Sequence, residues 1–300
     1  MAIAPARVVD FQAQEVTTIS RAELLWLTMK RKPLGAVSAA LLLVIVVTAL
    51  FAPVLAPYDP LTTEPEIRLR APSRAHPFGT DDIGRDVLSR IIYGARISLW
   101  VGLLAVGIGT AAGMVIGLLC GYCEGKLDLI VQRVMDAVQA IPGLVLALAI
   151  VSVLKPNTTN AMIAIAIVII PGNSRIVRGA VLSAKQNRYV EAAQAIGCRH
   201  PRIILTHILP NVTAPILVIA SIWLGNAILI EATLSFLGVG TQPPTPSWGL
   251  MLSSTGRAFM EQAPWLAIFP GLAISLAVLA FNLFGDTLRD AWDPKLRRQA

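Results

Sequence analysis

Two cysteines and three histidines are the residues best suited to metal or redox chemistry in this sequence of 300 residues. Cys120 and Cys123 form a C-x-x-C pair at the end of an apolar stretch, a spacing that can bind a metal or cycle as a dithiol. The alternative is two small, weakly polar side chains at a helix end. We favour this alternative, because a metal site needs further ligands and neither a second pair nor a histidine is near in sequence. Cys198 makes the cysteine count odd, which argues against a disulfide framework.

The histidines and one glycine-containing segment form no catalytic pattern either. His76, His200 and His207 fall in separate loops. Residues 121–126 resemble a phosphate-binding loop only superficially, because the spacing is short and Leu127 stands where Ser or Thr is required. The sequence therefore predicts a protein that is not an enzyme and that itself binds no cofactor or metal.

The composition is that of a membrane protein. Hydrophobic residues make up 55% of the chain and charged residues only 14%, with a mean hydropathy of +0.67. Soluble domains carry about 25% charged residues. The net charge is +7, and the basic residues flank apolar stretches, which favours an anionic membrane surface over nucleic acid as their partner. No nucleic-acid partner is predicted.

Six stretches with no more than one charged residue each are long enough to cross a bilayer as helices, which takes about 20 residues each. The stretches are continuously apolar and not alternating, so they predict helices and not a barrel. The predicted fold class is all-α integral membrane. Residues 1–32 form an N-terminal segment with a possible surface helix, and residues 33–300 form the membrane domain. The spans lie at about 33–56, 97–121, 134–154, 157–174, 212–235 and 264–285.

The spacing of three glycines predicts how closely two helices pack, and the distribution of Lys and Arg predicts the orientation of the chain in the membrane. Gly109, Gly113 and Gly117 are four residues apart, which predicts a face where a second helix can approach closely. If the N-terminus lies in the cytoplasm, most of the 25 Lys and Arg residues fall in cytoplasmic segments. Both termini are therefore predicted to be cytoplasmic.

Polar residues inside the fifth span are candidates for a transport pathway. Glu231 lies within this span, near Asn226. Glu231 is expected either to face a pore and meet a cationic group or to make a structural hydrogen bond with a neighbouring helix. Asp136 and Arg175 are expected to be interfacial anchors.

The loop between the fourth and fifth spans, residues 175–211, predicts two short helices. Residues 189–196 are a run of helix-forming residues, and Gly197 is placed to end that helix in a left-handed conformation. Pro201 can open a second short helix in its first turn. Such a protruding pair is suited to docking in a partner's groove, and the alternative is an ordinary interfacial loop.

The sequence EAAQAIGCRHPRIILTHILPN in this loop resembles the "EAA" loop of bacterial ABC-importer permeases. Other stretches resemble the C-type permeases of dipeptide, oligopeptide and nickel importers: HPFGTD at residues 76–81, PPTP followed by WG at 243–249, and NLFGD at 282–286. The similarity extends over roughly residues 26–298. The resemblance implies a type I ABC-importer permease fold. It also implies that matching positions in the loop couple the permease to an ATPase. These positions are Glu191, Ala192, Ala193, Ala195, Gly197, His207, Leu209 and Pro210.

The resemblance also implies partners and a location. A homologous permease would complete the pore, two ATPase subunits would bind ATP and Mg, and an extracytoplasmic binding protein would deliver substrate. The location would be the bacterial inner membrane. Peptides are the expected substrate. The alternatives are nickel or small solutes such as glutathione and opines, and, more distantly, an ATP-independent secondary transporter.

The first and third outer loops are expected to serve this pore mouth. Thr80 or Asp81 is predicted to cap a helix that runs toward Arg96. Asp81, Arg85, Asp86 and Trp248 are predicted to belong to an external gate or to a platform for the binding protein. The alternative for the proline-rich segment before Trp248 is a merely stiff loop.

Overall fold

The computed structural model describes residues 33–253 and 259–292. The surface helix predicted before the first span lies outside these residues. Within the described residues the protein is built of helices, and pairing of the strand type is limited to an isolated bridge between Thr80 and Asp86.

Eight helices carry the fold in the described part of the chain. They are α1 (Pro33–Leu50), α2 (Val87–Cys123), α3 (Gly125–Gln139), α4 (Gly143–Leu154), α5 (Thr158–Lys185), α6 (Arg188–Ala195), α7 (Leu209–Phe236) and α8 (Trp265–Trp292). Shorter helical segments lie at Ala52–Leu55, Pro65–Ile67 and Trp248–Leu252, and His200–Arg202 with π-helical Ile203–Ile208 leads into α7.

Five helical segments among the described residues are long and apolar enough to cross a membrane: α1, α2, α5, α7 with its lead-in, and α8. The bent pair α3 and α4 makes a sixth if it is counted as one span. The all-α membrane architecture is therefore the one predicted. Three helices extend well beyond their predicted spans, since α2 begins at Val87, α5 continues to Lys185 and α8 continues to Trp292. In each, the helix continues through polar residues that flank the apolar stretch.

The predicted third span, 134–154, is not one continuous helix. α3 and α4 meet at an angle of 89° across the break at residues 140–142. Pro142 cannot donate a backbone hydrogen bond and disfavours helix at the residue before it, so the chain bends there. α3 is held on its polar side by α5, because Asp128 pairs with Arg178 and Asp136 pairs with Arg175.

The second helix of the loop 175–211 is not separate from the fifth span. His200–Phe236 is one continuous helical run, and its π-helical part includes a bond from the Leu209 amide to the Ile204 oxygen. Pro210 has no N–H and cannot donate to Thr206 in the α pattern, which explains a register change at this point. The lead-in to α7 is thus part of the span that it precedes.

The glycine face predicted on α2 packs directly against α5. A Cβ atom added to Gly113 would lie 2.7 Å from the Cβ of Asn173, and one added to Gly117 would lie 2.6 Å from the Ser174 oxygen. Gly109 is equally close to the other helix, at 2.7 Å from the Ala166 oxygen. The predicted close approach is confirmed, because these distances leave no room for a side chain.

α2 extends between the two ends of the protein. Near its beginning, Gly94 packs against the side chain of Trp248. Near its end, Leu118 and Tyr122 belong to a buried cluster with Val190 and Ala193 of α6. We call these the Trp248 end and the α6 end.

Candidate functional site

The short helix α6 follows directly on α5 and is ended by a local signal. Before it, the Asn187 side-chain amide donates to the Ala184 oxygen of α5 at 3.0 Å and makes no cap hydrogen bond to α6. At the other end Gly197 has a φ of 77°, with the Gly197 amide bonded to Gln194 (2.9 Å) and the Cys198 amide bonded to Ala193 (3.0 Å). These two hydrogen bonds form a Schellman motif, which requires a left-handed backbone conformation at Gly197. The predicted glycine cap is confirmed.

α6 has one buried face and one exposed face. Val190 and Ala193 are buried in the cluster beneath the helix, while Glu191, Ala192 and Ala195 are exposed. The exposed set also includes two large apolar side chains that sequence reasoning did not single out, Tyr189 at 41% exposure and Ile196 at 80%. A helix that is anchored on one side and shows apolar groups on the other can serve as a docking surface.

The remaining residues of the predicted coupling set take different positions. Gly197 is exposed after α6, Leu209 is half-buried against the same cluster, His207 is half-buried, and Pro210 is exposed. Of this set, Ala193 belongs to the cluster beneath α6 and Leu209 packs against it. The structure leaves Glu191, Ala192, Ala195 and Gly197 on the surface.

Glu231 lies inside the protein at the Trp248 end and is 1% exposed. Its Oε1 accepts hydrogen bonds from Ser235 (2.8 Å) and Thr241 (3.3 Å), and its Oε2 accepts one from Ser98 (3.1 Å). Of the two predicted roles, these contacts favour the structural hydrogen bond. Asn226 is exposed and its amide donates within its own helix to Ile222 (3.3 Å), so the structure does not bring Asn226 and Glu231 together.

The hydroxyl partners of Glu231 were not found by sequence reasoning. Ser235 is one helical turn after Glu231, so its spacing was a usable signal. Ser98 is 133 positions away, and its contact depends on how α2 packs against α7.

The first loop at the Trp248 end contains a network of buried ion pairs. Asp81 pairs with Arg85 at 2.6 Å and with Arg90 at 3.6 Å, and Asp86 lies 2.9 Å from His76. The prediction that Thr80 or Asp81 caps the following helix is wrong. Asp86 caps α2 by accepting from the Ser89 amide at 2.8 Å, because the chain turns through Gly84 before the helix begins.

Three of the residues predicted for binding-protein docking are inside the protein. Asp81 and Asp86 are buried, and Trp248 is 2% exposed with its Nε1 donating to the Ile91 oxygen at 3.0 Å. Buried side chains offer no surface to a partner, so the docking role does not fit these three residues, and the alternative role in an external gate stays a prediction. These residues hold the loops in place, and Pro243 and Pro244 are the exposed residues of the adjoining segment.

The two cysteines of the C-x-x-C pair have different surroundings. Cys120 is buried, Cys123 is exposed, and neither forms a disulfide. The third cysteine, Cys198, is partly buried against the cluster beneath α6. No group of three metal-ligating side chains occurs within residues 33–253 and 259–292.

These features define a class of protein: a multi-pass helical membrane protein with a short helix at one end that is anchored on one face and exposed on the other. Residues 113–298 match the family described as "Binding-protein-dependent transport system inner membrane component". Residues 20–72 match the "N-terminal TM domain of oligopeptide transport permease C". The chain belongs to the family of binding-protein-dependent inner-membrane transport components, as a permease subunit of the ABC-importer type.

Named relatives match nearly the whole chain. The dipeptide transport system permease protein DppC of Alkalihalophilus pseudofirmus is 46% identical over 269 residues, which is 90% of this chain and 88% of the relative. The glutathione transport system permease protein GsiD of Escherichia coli O6:K15:H31 is 46% identical over 273 residues, which is 91% of this chain and 90% of the relative.

A solved structure shares the fold. The MetNI methionine ABC transporter, in an inward-facing conformation, matches with a TM-score of 0.57 at 17% sequence identity. The match covers 69% of this chain and 98% of the solved chain. This similarity shows the type I importer permease fold.

Proposed function

We propose that this chain forms one half of the translocation pathway of an ABC importer for dipeptides and oligopeptides. The observation that carries the proposal is α6, whose buried Val190 and Ala193 fix it to the membrane helices while Glu191, Tyr189 and Ile196 remain exposed. A rigid helix with exposed apolar and acidic groups is suited to a groove on a partner protein. The partner is an ATPase subunit.

The complete importer contains further subunits. A homologous permease supplies the other half of the pore, two ATPase subunits bind ATP and Mg and dock at the α6 end, and an extracytoplasmic binding protein delivers substrate at the Trp248 end. The α6 end and both termini are cytoplasmic in the bacterial inner membrane. ATP binding would displace α6, and the helices would then switch between two states that differ in pore access.

The substrate class is supported by the relatives. DppC proteins are named for dipeptide transport, and GsiD for glutathione, which is itself a tripeptide. Dipeptides and oligopeptides are therefore the first candidate substrates and glutathione is the second. Nickel and opines are weaker alternatives that no named relative described above supports.

The Trp248 end is the proposed external mouth. The exposed Pro243 and Pro244 would meet the binding protein, while the buried Asp81, Arg85, Asp86 and Trp248 keep the mouth in shape. Asn226, exposed on α7, is the pathway candidate with an accessible side chain.

The proposal is tested with the full complex in proteoliposomes. The complex contains both permeases, the ATPase subunits and the binding protein, and the probes are a labelled dipeptide, labelled glutathione and ⁶³Ni²⁺. We expect uptake of the dipeptide that requires ATP and stops when the ATPase subunit carries an inactivated phosphate-binding loop. Dipeptide uptake that continues without ATP would contradict the proposal and favour a secondary transporter.

A further inference from the structure

Both ends of the segment that carries α6, residues 186–199, are bonded to the same turn of α2. Lys185, the last residue of α5, donates from Nζ to the Tyr122 backbone oxygen at 2.8 Å and to Glu124 Oε1 at 2.7 Å. His200, where the lead-in to α7 begins, has its Nδ1 2.6 Å from the Tyr122 hydroxyl. We call Tyr122, Glu124, Lys185 and His200 the clasp.

Tyr122 is the centre of the clasp, because it contacts both Lys185 and His200. Its backbone oxygen belongs to the last turn of α2, where carbonyl groups lack helical partners and attract a cation such as Lys185. Its ring is edge-on to that of His200, with centroids 5.6 Å apart, and lies 5.4 Å from Lys185 Nζ. The Lys185–Glu124 ion pair is partly solvent-exposed and contributes less.

The side chain of Tyr122 also belongs to the apolar cluster beneath α6. It is buried there with Leu118 of α2 and with Val190 and Ala193 of α6. α6 therefore rests on Tyr122 and is tied to it on both sides. A displacement of α6 cannot leave the last turn of α2 in place without breaking these bonds.

The far end of α2 reaches the Trp248 end of the protein. α2 has 37 residues, which corresponds to about 55 Å of helix. It carries Ser98, which is bonded to Glu231, and Ile91, which is bonded to Trp248. Its middle is packed closely against α5 at the glycine face, so a shift of one helix is expected to displace the other.

We propose that Tyr122 and His200 are positioning residues that pass the displacement of α6 to α2 during transport. The inference rests on the proposed function, because it needs an ATPase to move α6. It goes beyond docking, since it assigns the mechanical connection behind the docking surface to one tyrosine and one histidine.

The test uses the full complex in proteoliposomes, with labelled dipeptide as the probe. Tyr122→Phe removes the hydroxyl group and keeps the ring. His200→Ala removes the imidazole that the Tyr122 hydroxyl contacts. The matched control is Tyr93→Phe, the same change near the other end of α2. We expect both clasp variants to retain ATPase binding and ATP hydrolysis. Dipeptide uptake per ATP hydrolysed should fall about threefold to tenfold, the worth of one hydrogen bond.

Two further variants test whether the single variants act by removing the same Tyr122–His200 hydrogen bond or by two independent effects. The double variant Tyr122→Phe/His200→Ala should lose no more than the more impaired of the two single variants, because both remove the same hydrogen bond. His200→Asn keeps a polar atom near the position of Nδ1 and should recover part of the loss.

Three results would overturn the inference. They are an unchanged uptake per ATP in Tyr122→Phe, losses that multiply in the double variant, and loss of ATPase binding in either single variant. The last would make the clasp a support for docking only. If the unaltered complex shows no ATP-dependent uptake, the proposed function has failed, and this is seen before any clasp variant is measured.

Discussion

The hydroxyl of Ser98 in α2 donates a hydrogen bond of 3.1 Å to Glu231 Oε2 in α7. The bond joins two helices inside a region where the Glu231 side chain has almost no contact with solvent. A carboxylate in such a place is stable only if its oxygens are bonded. Ser98, Ser235 and Thr241 together supply those bonds, and Thr241 adds the segment that leads to Trp248.

Ser98→Ala should destabilise the permease, because it removes a donor from a buried carboxylate. The expected loss is about 1–3 kcal/mol, seen as a lower melting temperature of the complex purified in detergent. Ser152→Ala is the matched control, since the exposed Ser152 hydroxyl bonds only within its own helix, to Leu148. Equal melting temperatures for the two variants would contradict the role of Ser98.

Glu231→Gln distinguishes the two roles predicted for this residue. In Glu231→Gln the side-chain NH₂ group is a donor that faces hydroxyl groups which also donate. If the role of Glu231 is structural, the melting temperature therefore falls while KM for dipeptide uptake is unchanged. A pathway role would give the opposite result, a raised KM at normal stability. Uptake kinetics and thermal unfolding of the same preparation provide both measurements.

Gly117→Ala should weaken the packing of α2 against α5. Its new Cβ would lie 2.6 Å from the Ser174 backbone oxygen, so the helices must separate, at a cost of about 1–3 kcal/mol. Gly107→Ala is the control on the same helix, because apart from its chain neighbours and the nearby backbone of α2 no described heavy atom lies within 4 Å of its Cβ position. Thermal unfolding should separate the two variants, and a Gly117→Ala protein as stable as Gly107→Ala would show that the helices adjust freely.

Glu191→Lys and Gly197→Pro should uncouple transport from ATP hydrolysis while membrane insertion is retained. Lysine reverses the charge on the exposed face of α6. Proline cannot adopt the φ of 77° at Gly197 and cannot donate to Gln194. ATP-dependent dipeptide uptake should fall at least about tenfold, the equivalent of about 1.4 kcal/mol of coupling.

The control for Glu191→Lys is Glu66→Lys, which makes the same charge change at an exposed position in the first loop. Normal uptake by both α6 variants would remove the coupling role of this helix.

Asp86→Ala should destabilise the start of α2 by about 0.5–2 kcal/mol, because Asp86 caps this helix. Asp86→Asn retains a capping oxygen and loses only the charge beside His76. Its stability should therefore lie between that of Asp86→Ala and that of the natural protein. Chemical denaturation of the purified complex checks the order. Equal stability of the Ala and Asn variants would assign the effect to the His76 contact alone.

Local chemistry determined much of this protein from sequence. The apolar stretches, the glycine face of α2 and the cap at Gly197 depend on residues that are neighbours in the chain or one turn apart. Such features are readable because lipid and helix geometry act on each segment separately. The membrane class, the helical fold and the place of α6 could therefore be predicted.

Tertiary structure decided the features that depend on distant residues. The turn through Gly84 moved the cap of α2 from Thr80 or Asp81 to Asp86. The bend that divides the third span follows, by contrast, from the local effect of Pro142. The partner of Glu231 across the helices is 133 positions away, and His200 meets Tyr122 across 78 positions. Which hydroxyl reaches a buried carboxylate follows from how whole helices pack, and no local pattern encodes it.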